Sequence, residues 1–371
     1  MVIDPGEAEI GEGEPPEAAH GLVGSEDTAA DVVEELPERR FVHGWELSCP
    51  DMEDPATPDS AEPARIAFLG PEGTFTEEAL LTQSDYAEAV MVPMVSLPDV
   101  LEAVAEGQVD LGFVPIENAI EGTVNATADS LVFDVALLIQ REVVIDVHLD
   151  LMAPAGTTLG SIRRLLSFPV ATAQCRHFVA DQLKGVEVIA TSSTAESARL
   201  LGEDHRIHTA ALAPPLAAEL YGLEILAHAI EDHPDNQTRF VALAPAGIPA
   251  PTGHDKTSIA CFQGEDHPGS LHAILSEFSA RSINLTKLES RPTKRGLGNY
   301  CFLIDLEGHI ADEVVADCLR VLHAELADVK FLGSYPAAGE HGPAIRQQAG
   351  EAWQVADGWV RALQDQVRPP G

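Results

Sequence analysis

The stretch "RIAFLGPEGTFTEEALL", residues 65–81, marks the point at which an ordered fold is predicted to begin. "RIAFL" has the continuous apolar character of a buried strand, "GPEG" is a turn, and Thr74 and Glu77 stand at the spacing of a helix capping box. A strand, a glycine-containing turn and a helix in direct succession are typical of α/β proteins. The stretch therefore predicts an α/β fold that starts at Arg65.

The 64 residues before this strand have a different composition. They carry 18 acidic and 2 basic side chains, interleaved with Pro and Gly. A segment of this kind buries too little apolar surface to fold, and it lacks the basic region and apolar run of a secretory signal. We predict a disordered acidic leader over residues 1–64.

The composition of the whole chain excludes several classes of partner. The 371 residues include 22 basic and 60 acidic side chains, a formal net charge of -38, which repels nucleic acids and anionic lipid surfaces. The five cysteines are scattered without a CxxC pair, which favours reduced thiols and no zinc site. No window reaches the roughly 18 apolar residues of a membrane span. We expect a cytoplasmic protein with no membrane segment, no nucleic-acid partner and no metal.

Strand and helix patterns continue to alternate after residue 81, up to the apolar strand "TRFVALAP". This alternation predicts an α/β unit over residues 65–246 with parallel-rich sheets and two lobes, the second at about residues 147–225. Ligands of such sheets bind beyond the carboxyl ends of the strands, where helices begin. The functional site is expected there.

Hydroxyl and amide side chains gather at those strand ends. The loops "GPEGTFT", "PIENAIEGTV" and "TSSTAES" contain Thr74, Asn118, Thr123, Ser193 and Thr194. Ser and Thr are ordinary helix caps, so capping explains several of them without any ligand. Together with the adjacent pair Thr238 and Arg239 they also fit one shared pocket for an anion. The residues alone leave both interpretations open.

The third region has a clearer topology. Residues 256–337 read as strand, helix, strand, strand, helix, strand, the ferredoxin-like order. Leu271, Ile274 and Phe278 form an apolar stripe along its first helix, which is typical of core positions. The remaining residues, 338–371, are predicted to be a tail with one helix.

These motifs, in this order, resemble one family. "GPEGTFT", "PIENAIEG", "SSTAES" and "NQTRF", followed by a ferredoxin-like unit with "HPGSL" and "ESRP", are similar to prephenate dehydratases with a C-terminal ACT regulatory domain. The resemblance spans roughly residues 65–336. It implies a catalytic domain of two lobes like those of periplasmic binding proteins. It also implies conversion of prephenate to phenylpyruvate, with loss of water and carbon dioxide, and no metal or organic cofactor.

The resemblance also assigns roles to residues. Thr238 would donate a hydrogen bond or proton to the departing hydroxyl, Arg239 would hold a substrate carboxylate, and Phe240 would pack beneath the site. The anion pocket would be completed by Thr74, Asn118, Thr123, Ser193 and Thr194. Phenylalanine would bind between ACT domains of neighbouring subunits in a homodimer or homotetramer. Its site would comprise His267, Pro268, Gly269, Ser270, Leu271, Asn284, Glu289, Ser290, Arg291 and Pro292.

Three positions depart from the family pattern. Ala119 stands where Ser is common, and Phe168 and Val170 replace the His and Gln of a common Ser-His-Pro-Gln run. Any mechanism that needs that histidine is therefore excluded here. Two other functions stay open on the sequence: an arogenate dehydratase, and a non-catalytic sensor built on the same anion pocket.

Overall fold

The strand and helix predicted at residues 65–81 are both present in the computed structural model, which describes residues 63–204, 207–263, 267–294, 300–339, 358–364 and 366. Thr74 caps the helix, since its Oγ1 accepts a hydrogen bond of 3.3 Å from the amide of Glu77. Residues 1–62 of the predicted leader and most of the predicted tail lie outside the described residues; residues 358–364 are helical and exposed.

The first lobe contains a six-stranded sheet in the order β2-β1-β3-β11-β5, with β4 paired to β3. Its strands are β1 (Arg65–Leu69), β2 (Val90–Met94), β3 (Leu111–Asn118), β4 (Gly122–Thr123), β5 (Leu138–Asp146) and β11 (Gln237–Ala244). Its helices are α1 (Phe75–Leu81), α2 (Ser84–Ala87), α3 (Leu97–Ala105) and α4 (Asn125–Asp129), and a π-helical turn (Ser130–Asp134) extends α4.

The second lobe contains a five-stranded sheet in the order β10-β6-β9-β7-β8. Its strands are β6 (Asp150–Ala153), β7 (Arg164–Ser167), β8 (Glu187–Ala190), β9 (Thr209–Ala213) and β10 (Glu224–Ala227). Its helices are α5 (Pro169–Gln174), α6 (Arg176–Gln182), α7 (Thr194–Asp204) and α8 (Pro215–Tyr221), with a 3-10 turn at Leu159–Ser161.

Both lobes have mixed sheets. The pairs β1 with β2, β1 with β3, β7 with β8 and β7 with β9 are parallel, as expected for an α/β unit. The strand β11 runs antiparallel to β3 and β5, and β6 runs antiparallel to β9 and β10. The reason is the chain path, because the chain leaves the first lobe after β5 and returns to it only at β11. The apolar run "VVIDVHLDLMA", residues 143–153, is accordingly divided between β5 and β6.

The C-terminal domain has the predicted ferredoxin-like order. Its antiparallel sheet, β13-β14-β12-β15, carries two helices on one face. The elements are β12 (Asp255–Phe262), α9 (Ser270–Ala280), β13 (Leu285–Pro292), β14 (Tyr300–Glu307), α10 (Glu313–Val321), a π-helical turn (Leu322–Leu326) and β15 (Asp328–Pro336).

The other face of this sheet packs directly on the first lobe. One buried cluster contains Val114 and Leu131 of the lobe together with Leu303 and Leu332 of the C-terminal sheet. At Gly333 the backbones come so close that a Cβ atom would lie 2.6 Å from the carbonyl oxygen of Ile139. The first lobe and the C-terminal domain therefore share one hydrophobic core.

Candidate active site

Loops at the carboxyl ends of strands in the two lobes meet, and we call the boundary between them the cleft. On one side of the cleft the loop after β1 meets α8, and the hydroxyl of Tyr221 donates a 2.7 Å hydrogen bond to the carbonyl of Glu72. Gly73 in this loop has a φ of 84°, and a Cβ atom there would lie 3.3 Å from Ala217. The close approach of the lobes at this point thus favours glycine.

The centre of the cleft is the contact between Thr238 and Asn118. These residues are paired in the register of β11 and β3, and Asn118 Nδ2 donates to Thr238 Oγ1 over 2.9 Å. Asn118 Oδ1 accepts 3.0 Å hydrogen bonds from the amides of Ile120 and Glu121. Since only the oxygen of an amide side chain can accept, these two bonds fix Nδ2 towards Thr238. Among the described residues Thr238 Oγ1 has no acceptor, so its hydrogen can be donated to a ligand.

Two residues that the sequence did not single out extend this group. Asn118 Nδ2 also lies 2.9 Å from Asn236 Oδ1, and Asn236 Nδ2 lies 3.4 Å from Gln174 Oε1 across the cleft. Asn236 is 1% exposed. The sequence signals were weak: Asn236 is a polar residue two positions before the "TRF" motif, and Gln174 is a polar residue on a half-buried helix. The site is therefore a chain of neutral amides and hydroxyls that joins the lobes.

Arg239 lies on the opposite face of β11 from Thr238, as consecutive strand residues do. Its Nη1 donates to Asp305 over 2.6 Å and to Glu117 over 3.2 Å, and its Nη2 donates to Tyr335 over 2.9 Å. Its Nε forms a 2.8 Å ion pair with Glu142 that lacks hydrogen-bond alignment. The guanidinium thus faces the C-terminal domain, and this placement speaks against the carboxylate-binding role predicted for it.

The electrostatics of this site favour the charged forms of Arg239 and Asp305. Burial by itself lowers the pKa of Arg239, but Tyr335, Asp305 and Glu142 raise it well above the ordinary value. Burial likewise raises the pKa of Asp305, but the charge of Arg239 and a hydrogen bond from Ser258 outweigh burial and hold it below 3.8. The ion pair is therefore intact at neutral pH.

Phe240 occupies the core beneath the cleft. It is 1% exposed and stacks on Phe113 with ring centroids 5.5 Å apart. This position agrees with the predicted packing role, which stays a prediction as far as the reaction is concerned.

The other predicted pocket residues have different surroundings. Thr74 caps α1 and also donates to the carbonyl of Leu69, and Ser193 Oγ accepts from the amide of Glu196 at the start of α7. Thr194 is the first residue of α7. Thr123 lies apart from these residues, because it hydrogen-bonds Glu289 and Lys287 of the C-terminal domain. Strand topology places Thr74, Ser193 and Thr194 at the cleft and Thr123 at the domain boundary.

The departures from the family pattern fall on residues that pack or lie exposed. Phe168 packs against the core of the second lobe and its carbonyl accepts from Ser167, whereas Ala119 is exposed and its amide donates to the carbonyl of Gln237. Val170 is half-buried on α5.

The C-terminal domain has an open cavity of about 560 Å³ between α9 and the edge of its sheet. It contains the predicted residues His267, Gly269, Ser270, Leu271 and Ser290, together with residues that the sequence did not single out: Gln263, His272, Leu275, Tyr300 and Phe302. The predicted residues therefore contribute part of the cavity lining, from the loop before α9, the start of α9 and β13.

Other residues predicted for the phenylalanine site lie elsewhere. Asn284 lines a separate cavity of about 420 Å³ near the end of α9. Arg291 is 5% exposed and donates to Glu289 over 2.7 Å and to Asp129 and Asn125 of the first lobe. Glu289 and Arg291 therefore face the first lobe, on the opposite side of β13 from Ser290.

The two predicted prolines are exposed. Pro268 lies in the loop before α9, and Pro292 lies at the end of β13.

Within the described residues, no group of three or more His, Cys, Asp or Glu side chains is arranged to hold a metal ion. No described helix combines the length and apolar character needed to cross a bilayer.

Comparison with known proteins identifies the two parts of the chain. Residues 66–247 match the family model for prephenate dehydratase, and residues 259–324 match the ACT domain. A prephenate dehydratase of Mycobacterium leprae is 42% identical over 324 residues, which cover 83% of this chain and 98% of that protein.

Solved structures agree with this match. The prephenate dehydratase of Arthrobacter aurescens in complex with L-Phe is 40% identical, with a TM-score of 0.73 over 81% of this chain and 99% of that one. GqqA, described as a novel type of quorum-quenching acylase, is 30% identical, with a TM-score of 0.65 over 74% of this chain and 98% of that one. The two-lobed fold followed by a ferredoxin-like domain is thereby confirmed, and the chain belongs to the prephenate dehydratase family, with an ACT domain behind its catalytic lobes.

Proposed function

We propose that this chain is a carbon–oxygen lyase that converts prephenate to phenylpyruvate, water and carbon dioxide. The observation that carries the proposal is the orientation of Asn118, whose amide donates to Thr238 Oγ1 and leaves the hydroxyl hydrogen of Thr238 free to point into the cleft. A departing hydroxide is a poor leaving group, and a preorganised donor is what it needs.

The bond changes in this reaction balance without a cofactor. The carboxylate carbon leaves the ring as carbon dioxide, its bonding electrons move into the ring, and the C–O bond breaks with its electrons on oxygen. Thr238 donates a hydrogen bond to that oxygen as charge develops, and one proton from solvent completes the water. The ring becomes aromatic, which supplies the driving force.

Neutral groups would bind the carboxylates of the substrate. The first-turn amides of α7, beside Ser193 and Thr194, are donors suited to an anion, as is usual at a helix N-terminus. Asn236 Nδ2 donates to Gln174 Oε1 and Gln174 Nε2 donates to Glu121 Oε1, so these two amides link the sides of the cleft. Prephenate has a keto group where arogenate has an amine, and these donors do not discriminate between the two. Both substrates should therefore be assayed.

The experiment that tests the proposal is formation of phenylpyruvate by the wild-type protein and by two variants of Thr238. Thr238→Val keeps the shape and loses the donor, and we expect kcat to fall on the order of 10²–10⁴-fold. Thr238→Ser keeps the donor and should retain most of the activity. Equal activity of the Val and Ser variants, or no turnover by the wild type, would refute the assignment.

The likeness to GqqA raises a second candidate, hydrolysis of an acylated substrate. That chemistry needs a base to take the proton of a nucleophile. The described hydrogen-bond partner of Thr238 is an amide donor, which cannot accept that proton. The geometry therefore favours the dehydratase. Hydrolysis of an acyl amide in the same assay would instead favour the second candidate.

We further propose that phenylalanine regulates the enzyme from the ACT cavity. The cavity is large enough for one amino acid, and Leu271, Tyr300 and Phe302 offer apolar surface beside the hydroxyls of Ser270 and Ser290. The bound L-Phe of the Arthrobacter aurescens enzyme supports this ligand. Ser290→Leu should weaken phenylalanine binding in calorimetry at least about tenfold, since it fills the cavity. Thr286→Leu, on the same strand outside the cavity, should leave it unchanged.

A homodimer or homotetramer is part of this proposal. The strand β13 is an edge strand with Leu288 44% exposed, and Tyr300 beside it is 43% exposed, so the sheet edge is open to a second copy. Light scattering that shows a monomer at every working concentration would contradict it. A cytoplasmic location is supported by four buried free thiols in the described part of the chain, Cys175, Cys261, Cys301 and Cys318.

A further inference from the structure

The strand β11 connects the reacting group to the ACT domain through a single peptide unit. Thr238 points into the cleft, and the next side chain, Arg239, points into the ACT sheet. There it belongs to a closed ring of hydrogen bonds. Arg239 donates to Asp305 and Tyr335, Tyr335 donates to Ser258 over 2.6 Å, and Ser258 donates to Asp305 over 2.6 Å. Three of the four members come from the ACT domain.

Charges on both sides of the boundary balance around this ring. We call the following set the interdomain joint: Glu117, Glu142 and Arg239 of the first lobe, and Lys256, Ser258, Lys287, Asp305 and Tyr335 of the ACT domain. Lys256 pairs with Glu142 over 2.8 Å and Lys287 pairs with Glu117 over 3.3 Å. Three carboxylates thus meet three cations, and three of the pairs cross the boundary: Arg239 with Asp305, Lys256 with Glu142 and Lys287 with Glu117. A shift of the ACT sheet alone would separate the buried Asp305 from Arg239 and break the other two cross-boundary pairs, so we expect β11 and β3 to move with it.

The joint and the ACT cavity lie on opposite faces of the same two strands. On β14, Phe302 lines the cavity, and Asp305 faces the joint. On β13, Ser290 lines the cavity, and Lys287 faces the joint. A ligand in the cavity therefore touches strands whose other face holds β11 in place.

We propose that Asp305 and Tyr335 are positioning residues for the dehydratase reaction: acting through Arg239, they hold β11 so that the hydroxyl of Thr238 stays beside Asn118 and faces the substrate. The proposal rests on the proposed function in treating Thr238 as the reacting donor. It makes the ACT sheet a structural part of the active site, and it gives phenylalanine in the cavity a route to Thr238. Arg239 then acts on the reaction through β11, without touching the substrate.

The test compares Asp305→Asn and Tyr335→Phe with Asp317→Asn in the full chain. Asp317 is a matched control, because its carboxylate also accepts from an arginine of the ACT domain, Arg281, over 2.8 Å and 3.0 Å, but on the helical side of the sheet. Two quantities are measured: kcat and KM for prephenate, and the rate of backbone hydrogen exchange in residues 237–244 with and without phenylalanine.

We expect Asp305→Asn to lower kcat on the order of ten- to a hundredfold, with KM changed less than about threefold, because misplacement of a reacting group acts on the transition state. Exchange in residues 237–244 should rise and lose its response to phenylalanine. Tyr335→Phe, which removes one hydroxyl and keeps the ring, should give a smaller change in the same direction. Asp317→Asn should alter neither quantity.

A folded Asp305→Asn protein with wild-type kcat and unchanged exchange in residues 237–244 would overturn the proposal, as would a loss of activity expressed only in KM. If Asp305→Asn does not fold, the same criteria apply to Tyr335→Phe. Hydrogen exchange needs no turnover. A wild type that does not act on prephenate would therefore refute the proposed function, while the exchange data would still decide whether the joint holds β11.

Discussion

The two faces of strand β11 use opposite chemistry. The cleft face, at Thr238, contacts Asn118, and Asn236 and Gln174 continue the group as neutral amides, the last of which also donates to Glu121 over 3.4 Å. The other face, at Arg239, meets the charged side chains of the interdomain joint. Neutral donors at the cleft can bind a dianion without an ion pair that would have to be broken before a ligand enters. Charged groups at the joint give strong, directional contacts that resist displacement. Charged side chains therefore hold β11 in place on one face, and neutral donors on the other face are placed to bind the substrate.

After the loss expected for Thr238→Val, the largest effect is expected from reversing one hydrogen bond on the cleft face. Asn118→Asp keeps an oxygen for the amides of Ile120 and Glu121, but its second oxygen would accept the hydroxyl hydrogen of Thr238. We expect kcat to fall on the order of 10²–10³-fold, since a donor to the leaving group is lost, and the melting temperature to fall, since the buried Asn236 Oδ1 loses its donor. Steady-state kinetics and a melting curve measure both. Near-wild-type kcat would contradict the role given to the hydrogen bond from Asn118 to Thr238 on the neutral face.

The next effect concerns the charged face. Glu142 has a fully buried side chain that pairs with Arg239 and Lys256. Glu142→Gln should lower the free energy of unfolding by about 3 kcal/mol, because it leaves buried cations under-compensated. Glu196→Gln is the control, since Glu196 pairs with Arg199 at the surface, where a pair contributes about 0 to 1 kcal/mol. Urea unfolding that gives equal losses for the two variants would contradict a special role for the joint.

A smaller effect is expected where the lobes touch. Gly73→Ala and Gly107→Ala both place Ala at a positive φ, of 84° and 70°. Only the first meets atoms of the other lobe, because a Cβ atom at Gly107 has no heavy atom within 4 Å. Both should destabilise the chain by about 1 kcal/mol. Gly73→Ala should in addition raise KM for prephenate severalfold, which would show that packing, without charge, closes the cleft. Equal KM values in the two variants would contradict this.

The smallest effect is a pH dependence of the joint. The folded pKa of Asp305 lies below its usual value of 3.8, so the group stabilises the fold above that value. This contribution is lost as the pH falls from about 4 through the lower folded pKa. The urea midpoint of the wild type should therefore fall more steeply than that of Asp305→Asn between pH 5 and pH 3. Parallel curves would show that the Asp305 pair adds no net stability.

Much of the architecture could be predicted from the sequence because it depends on local periodicity. The strand–turn–helix at residue 65 and the ferredoxin-like order after residue 255 both follow from apolar spacing. The antiparallel insertion of β11 could not be predicted, because it depends on where the chain returns after the second lobe.

The site was predictable only in part, for a similar reason. Thr238 and Asn118 came from motifs, but their mutual contact is a matter of strand register. Treating Arg239 as a second pocket residue overlooked the alternation of a strand, which sends neighbouring side chains to opposite faces. The joint had a weaker signal in Asp305, a charged residue between apolar neighbours in β14. Such charges are rarely buried without a partner. The partner itself, on a distant strand, is decided by tertiary packing.

The close approach at Gly333 limits how these domains can be recombined. A φ of 138° and a neighbouring backbone that would collide with any Cβ atom require glycine at that position. The sheet of the ACT domain also supplies side chains to the core of the first lobe. A chimaera that joins these catalytic lobes to another ligand-sensing domain would therefore need matching small residues and matching charges along the whole contact. A flexible linker would leave apolar surface exposed and would remove Asp305 and Tyr335 from Arg239. The first lobe and the ACT domain would therefore have to be transferred together.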